Sequence, residues 1–253
     1  SYCLTFFHTR THTSHFLTFS LSYNLPQVFE ISLISNYQMK TRKTQLEEIA
    51  ITMIPLVGPV LGRQLISYCG SIEAVFTESK RHLKTIPGIG EEIASQIART
   101  GQAFDNADAE LTRMERESIG YTFYLDDTYP ARLFHLPDAP LILYTKGNLN
   151  LHPERSVAII GTRKPTPYGK SVTEEIIEAL APCDITMISG LAYGIDITAH
   201  KSCLRHDIPT IGVMGSGMGN IYPDSHLPVA EKMMEKGGIL TEFTYDTGPD
   251  AVN

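Results

Sequence analysis

SVAIIGTRKPTPYGKSVTEEIIEALAPCDITMISGLAYGIDITAH, residues 156–200, decides the fold. It reads as strand, loop, helix, strand, second glycine-rich loop and helix. Residues 156–160 are an apolar, β-branched run of buried-strand length that stops at Gly161. The loop from Gly161 to Gly169 then enters a helix through Lys170 and Ser171. A loop at the carboxyl end of a parallel strand, opening a helix, presents backbone N–H groups and a partial positive charge to an anion. Arg163 adds a planar fork suited to a pair of phosphate oxygens, and Lys164 adds a point charge.

The alternation continues outward from this stretch. Residues 185–188 and 209–214 read as strands, followed by the glycine-rich runs Ser189–Asp196 and Gly215–Pro223. Asp224 or Ser225 caps a helix running to Lys236, and residues 238–241 give a further strand. Strands and helices in alternation predict an α/β domain over 121–253, a Rossmann-like, doubly wound parallel sheet. Its three glycine-rich loops fall along the edge where such sheets bind ligands. Short strands at 121–124 and 141–144 add edge elements to it.

Upstream, residues 39–103 read as a small helical module. Gln45–Ile54 is amphipathic, Gly58 and Pro59 open a second helix that ends at Gly70, and Ser71 caps a third. The plan repeats through Ile86-Pro87-Gly88-Ile89-Gly90 into a helix over 91–100. Two apolar-glycine hairpins, each opening a helix, resemble a tandem helix-hairpin-helix or SAM-like module. Glycines there let backbone amides reach a phosphate without reading bases, but Glu91 and Glu92 flank this hairpin, and a packing or protein-contact role is the leading alternative. A charged helix over 104–120 connects the two parts.

Residues 1–38 carry only Arg10 and Glu30 as formal charges and show no sustained period. They are expected to be unstructured and lack the basic start and compact apolar core of a signal peptide. Met39 is expected to be the natural start, with the preceding residues a non-native leader.

The chain has 253 residues, 42% hydrophobic and 19% charged, the balance of an ordinary globular protein. Its net charge of −7 argues against a wholly basic nucleic-acid binder. Yet Arg155, Arg163, Lys164 and Lys170 stand in a segment with no acid, a local patch of +4. Four cysteines show no CxxC spacing, so no metal site is expected. No run is apolar and long enough to span a bilayer. A dinucleotide site requires G-x-G-x-x-G on the first strand-to-helix turn, which GTRKPTPYG lacks, and no Walker lysine motif appears. Asp196 and His200 share a helical face and could hold a metal; a helix-capping Asp196 beside an ordinarily hydrogen-bonded His200 is the favoured reading.

GTRKPTPYG, SGLAYGIDITAH, TIGVMGSGMGNIYP and GGILTEF, in this order, resemble the DprA/Smf family of bacterial DNA-processing proteins over roughly 120–253. The resemblance implies a cytoplasmic, non-enzymatic protein without cofactor. Such a protein binds single-stranded DNA, forms a homodimer through the Rossmann-like domain and passes the DNA to the recombinase RecA in natural transformation. Gly161 and Arg163 match the family's G-S/T-R loop, with Thr162 in place of the commoner serine; Lys164 is added from charge and position. Ser189, Gly190, Gly194 and Asp196 match SGxAxGID, and Gly215, Gly217 and Tyr222 match GxGxxxxYP. With Tyr168, Lys170 and Ser216 these are the expected DNA- and phosphate-binding residues, except Asp196 and Tyr222, which take structural or capping roles. The family's following basic run is not reached before Asn253, so the chain is expected to carry a reduced site. The rival reading is a nucleotide phosphoribohydrolase of the lysine-decarboxylase-like family, whose loop glutamate has no counterpart in GSGMGNIYPD.

Overall fold

The computed structural model describes residues 5–11, 14–20, 31–33 and 40–249. Two compact units are present, residues 1–41 and 42–253. In the first, β1 (Thr5–Thr11), β2 (Ser14–Ser20) and β3 (Ile31–Leu33) pair antiparallel in sequence order. The lack of structure expected over 1–38 falls largely outside the described residues; these three stretches are the part that is described, and they are strands.

The second unit begins with the helical module. Helix α1 (Arg42–Thr52) buries Ile49, Ala50 and Ile51. Helix α2 (Pro59–Cys69) starts on Pro59, whose missing N–H costs nothing at a first helical position, and stops where Gly70 turns left-handed. Ser71 caps α3 (Ile72–Thr77), its hydroxyl accepting the Ala74 amide at 3.0 Å. The short α4 (Lys80–Leu83) and α5 (Glu91–Ala98) flank the second hairpin. Helix α6 (Gly101–Glu117), the charged connector expected over 104–120, also buries Ala103, Ala107, Leu111 and Met114 and packs along α1. Spacing of those four is helical, and small alanines allow the close approach.

Strands β4 (Gly120–Phe123) and β5 (Ile142–Gly147) pair antiparallel, with the short α7 (Ala131–Phe134) between them. Then follow β6 (Ser156–Ala158), α8 (Pro167–Leu180), β7 (Thr186–Gly190), α9 (Ile195–Arg205), β8 (Thr210–Val213), α10 (Leu227–Met233) and β9 (Gly238–Thr241). The six strands stand in the order β4-β5-β9-β8-β7-β6. Strands β6 to β9 are parallel, and β5 joins β9 antiparallel. The Rossmann-like α/β sheet is thus mixed, because the β4–β5 hairpin adds to it from the other direction. Helix α9 packs against both α8 and α10.

Helix α8 begins three residues before the expected Lys170. Thr166 caps it by accepting the Gly169 amide at 3.1 Å, and Pro167 takes the first helical position. The shift brings Tyr168 and Lys170 onto the first turn of α8. The expected helix over 224–236 is a 3-10 turn, Asp224–His226, followed by α10, with neither Asp224 nor Ser225 capping through its side chain.

Module and sheet share one core: Ile49, Leu65 and Leu111 belong to the same cluster as Phe123, Tyr144 and Ile239. Tyr144 is fully buried, and Tyr121 donates to the buried Glu48 carboxylate at 2.8 Å. The first hairpin faces the sheet domain, with Gly58 and Pro59 across a small cavity from Pro140 and Leu141.

Candidate nucleic-acid interface

The first two glycine-rich loops interlock. The Ile195 amide donates to the Thr162 carbonyl at 3.2 Å. Gly194 has φ 88°, and a β-carbon there would overlap the Thr162 carbonyl oxygen and the Arg163 backbone. Only glycine permits both the backbone angle and the approach. Thr162 also accepts the Lys164 amide on its side-chain oxygen at 3.2 Å, which sets the loop's curvature.

Above this junction lies an open cleft of about 630 Å³. Its walls carry Arg163 and Lys164 from the loop, Lys170 from α8, and Lys201 from α9, with Tyr193 and Thr198 between them. None of its lining residues is acidic. The four cationic side chains are exposed and have no ion pair or hydrogen bond among the described residues. Cations left without carboxylate partners on a concave wall are available to a phosphate chain, and each would contribute through long-range attraction as well as contact.

Beneath the cleft the groups are committed to the fold. Ser189 is buried and donates to the Ile159 carbonyl at 2.5 Å, tying β7 to the end of β6. Asp196 is buried in the first turn of α9, where a carboxylate complements the helix dipole. One of its oxygens lies 3.4 Å from the Gly161 amide, and the carboxylate packs against Gly190. It faces inward and is not the residue flanking the helix start, which is Gly194.

His200 is 0% exposed, with Nε2 2.8 Å from the Gly190 carbonyl and Nδ1 2.8 Å from the Thr210 hydroxyl. A carbonyl only accepts, so Nε2 carries the hydrogen and Nδ1 accepts from Thr210. Burial holds its pKa down at about 4, against a smaller opposing effect of the Gly190 hydrogen bond. Both nitrogens being engaged, His200 has none to offer a metal beside Asp196. No group of three His, Cys, Asp or Glu side chains poised for a metal occurs among the described residues.

The third loop turns its groups toward the chain. Ser216 is buried and donates to the Asn220 carbonyl at 2.7 Å, and the Gly217 amide donates to the Thr247 carbonyl at 2.9 Å. A β-carbon on Gly217 would overlap the Thr244 carbonyl oxygen. Residues 244–247 are themselves held by α6: the Tyr245 amide donates to Glu110 at 2.8 Å, and Arg113 lies 5.0 Å over the Tyr245 ring while pairing with Asp246.

Of the residues singled out from sequence, the structure brings Arg163, Lys164, Lys170 and Gly194 to the cleft wall, while Gly161 and Thr162 do not line it and pack instead against Ile195 and Gly194. Tyr168 projects from the first turn of α8, 78% exposed, and Tyr222 is 54% exposed outside the cleft. Ser189, Gly190 and Asp196 lie under it, and Gly215, Ser216 and Gly217 do not line it. Lys201 and Tyr193 were not singled out. A helical count from Gly194 would have found Lys201, because Ile197, Thr198 and Lys201 follow it on one face.

In the helical module, Glu91 is ion-paired with Lys80 and, at 2.8 Å, with Lys84, whose hydrogen bonds lower its pKa to about 2. The Pro87 carbonyl of the second hairpin accepts the Gln64 amide at 2.8 Å.

The DNA recombination-mediator protein A family model matches residues 120–253, and the SAM-like helix-hairpin-helix tandem model matches residues 48–100. Protein Smf of Synechocystis sp. is 32% identical over 210 residues, covering 81% of this chain and 52% of that protein. DNA processing protein DprA of Streptococcus pneumoniae is 33% identical over 140 residues, covering 55% of this chain and 49% of that protein. The X-ray structure of DNA processing protein A from Streptococcus pneumoniae matches with a TM-score of 0.65 at 25% identity, over 85% of this chain and 72% of that one. The chain spans about half the length, or less, of the curated relatives it matches.

Proposed function

Because the chain belongs to the DNA recombination-mediator protein A (DprA/Smf) family, we propose that its cleft binds single-stranded DNA through backbone phosphates. The observation that carries this reading is the set of four unpaired cations, Arg163, Lys164, Lys170 and Lys201, on a wall without a carboxylate. Arg163 serves phosphate oxygens with two parallel N–H donors, and the lysines act as point charges that tolerate many strand geometries. Tyr193, 47% exposed at the mouth, offers a ring face on which any base stacks. Recognition of this kind favours no sequence, since phosphates and π-faces are common to all nucleotides.

The role is one of binding rather than catalysis, with no cofactor. Transfer of the bound strand to a RecA-type recombinase, homodimerisation through the sheet domain and a cytoplasmic setting belong to the same proposal and rest on the family alone.

The test is fluorescence anisotropy with single-stranded oligonucleotides of differing sequence. Arg163→Ala weakens binding by a similar factor for all of them, on the order of tenfold, as loss of one charge-assisted contact implies. Unchanged affinity, or a loss confined to one sequence, overturns the reading.

A further inference from the structure

Lys201 borders two cavities. Besides the cleft above, it lines an open groove of about 580 Å³ between α9 and α10, together with Arg205, Lys232 and Lys236. The floor of this groove is apolar, formed by Leu204, Ile208, Val229 and Met233. Four cations line it against two carboxylates, Asp207 and Glu235. Asp207 is ion-paired with Lys236, and Arg205 is 2.9 Å from Glu174 of α8. That leaves the side chains of Lys201, Lys232 and Glu235 exposed without an ion pair or hydrogen bond among the described residues, two cations against one carboxylate. In the helical module Arg42 pairs with Asp108 and Glu115, and Lys80 and Lys84 pair with Glu91.

Resting on the reading of the cleft given above, we infer that the nucleic-acid path continues past Lys201 into the α9–α10 groove, with Lys232 as its second phosphate contact. An apolar floor under a cationic rim suits a single strand, whose bases can turn inward while its phosphates face the lysines. A duplex hides its bases and gains nothing from Leu204 or Val229. Helix α9 is about 16 Å long, so a strand must be several nucleotides long to reach from Arg163 to Lys232.

Length dependence is therefore the test. Binding of single-stranded oligomers of about 4 and about 15 nucleotides is measured for the full chain, for Lys232→Glu, for Lys232→Ala and for Arg163→Ala. Lys232 is exposed, and circular dichroism checks that its variants fold. The extended path requires Lys232→Ala to weaken the long oligomer and to lower its salt slope by about 0.7, the share of one phosphate contact, and Lys232→Glu to weaken it further, roughly fivefold or more, with the short oligomer unaffected by either. No effect on either length, the result expected if the groove serves an acidic protein surface instead, overturns the extension. So does an equal loss on both lengths. In either case, loss of short-oligomer binding in Arg163→Ala leaves the cleft reading standing, whereas its retention removes both.

Discussion

The carbonyl oxygen of Thr162 occupies the space that a β-carbon on Gly194 would need, and it accepts the amide hydrogen of Ile195 at 3.2 Å. Two loops separated by a whole helix and strand are thereby locked backbone to backbone. Arg163, the next residue after Thr162, is held on the cleft wall by a contact that involves no side chain of its own.

Gly194→Ala should break this lock. It imposes both left-handed strain and a direct overlap, together at least about 2 kcal/mol. Urea denaturation should show that loss, and anisotropy should show weaker DNA binding in the folded fraction. A variant as stable as the parent contradicts the role given to this junction.

Stability should fall on mild acidification through His200. Its pKa in the folded chain is about 4, below the ordinary 6.5. Between those values the unfolded chain takes up a proton that the folded chain refuses, so the stability present above pH 6.5 is lost progressively as pH falls to about 4, by a few kcal/mol. Denaturation midpoints across this window should slope downward in the parent and flatten in His200→Gln, whose amide can keep both hydrogen bonds. An equal slope in both assigns the acid sensitivity elsewhere.

Glu110 reaches from α6 to the Tyr245 amide. Glu110→Ala leaves that N–H without its acceptor, at a cost of about 1–3 kcal/mol. The loss should also appear as faster hydrogen exchange at residues 215–220, whose Gly217 amide depends on the neighbouring Thr247 carbonyl. Unchanged exchange there means that α6 does not support the third loop.

The helical module should contribute little to phosphate binding, since the cations beside its second hairpin, Lys80 and Lys84, are already paired with Glu91. Lys80→Ala with Lys84→Ala should leave DNA affinity within about twofold. A loss as large as that of Arg163→Ala would move the interface to this module.

The parallel strands and the cationic loop were legible in sequence because apolar runs ending in glycine followed by helical periodicity leave few alternatives. Arg163, Lys164 and Lys170 could be found for the same reason: charge and strand-end position are local properties. What escaped depends on distant partners. Ser189 and Ser216 sit in glycine-rich motifs that read as ligand-binding, and only the fold shows their hydroxyls turned to Ile159 and Asn220. The antiparallel insertion of β5 beside β9 joins residues 144 and 241, a pairing that no periodicity encodes. Lys201 lies just beyond a motif and takes its meaning from the loop of a different strand.

The salt dependence of single-stranded DNA binding tests the central claim most directly. Log affinity against log salt concentration should fall steeply for the parent chain, and Arg163→Ala should reduce the slope by about 0.7, the share of one phosphate contact on a single strand. Parallel lines of equal slope for the two proteins would contradict it.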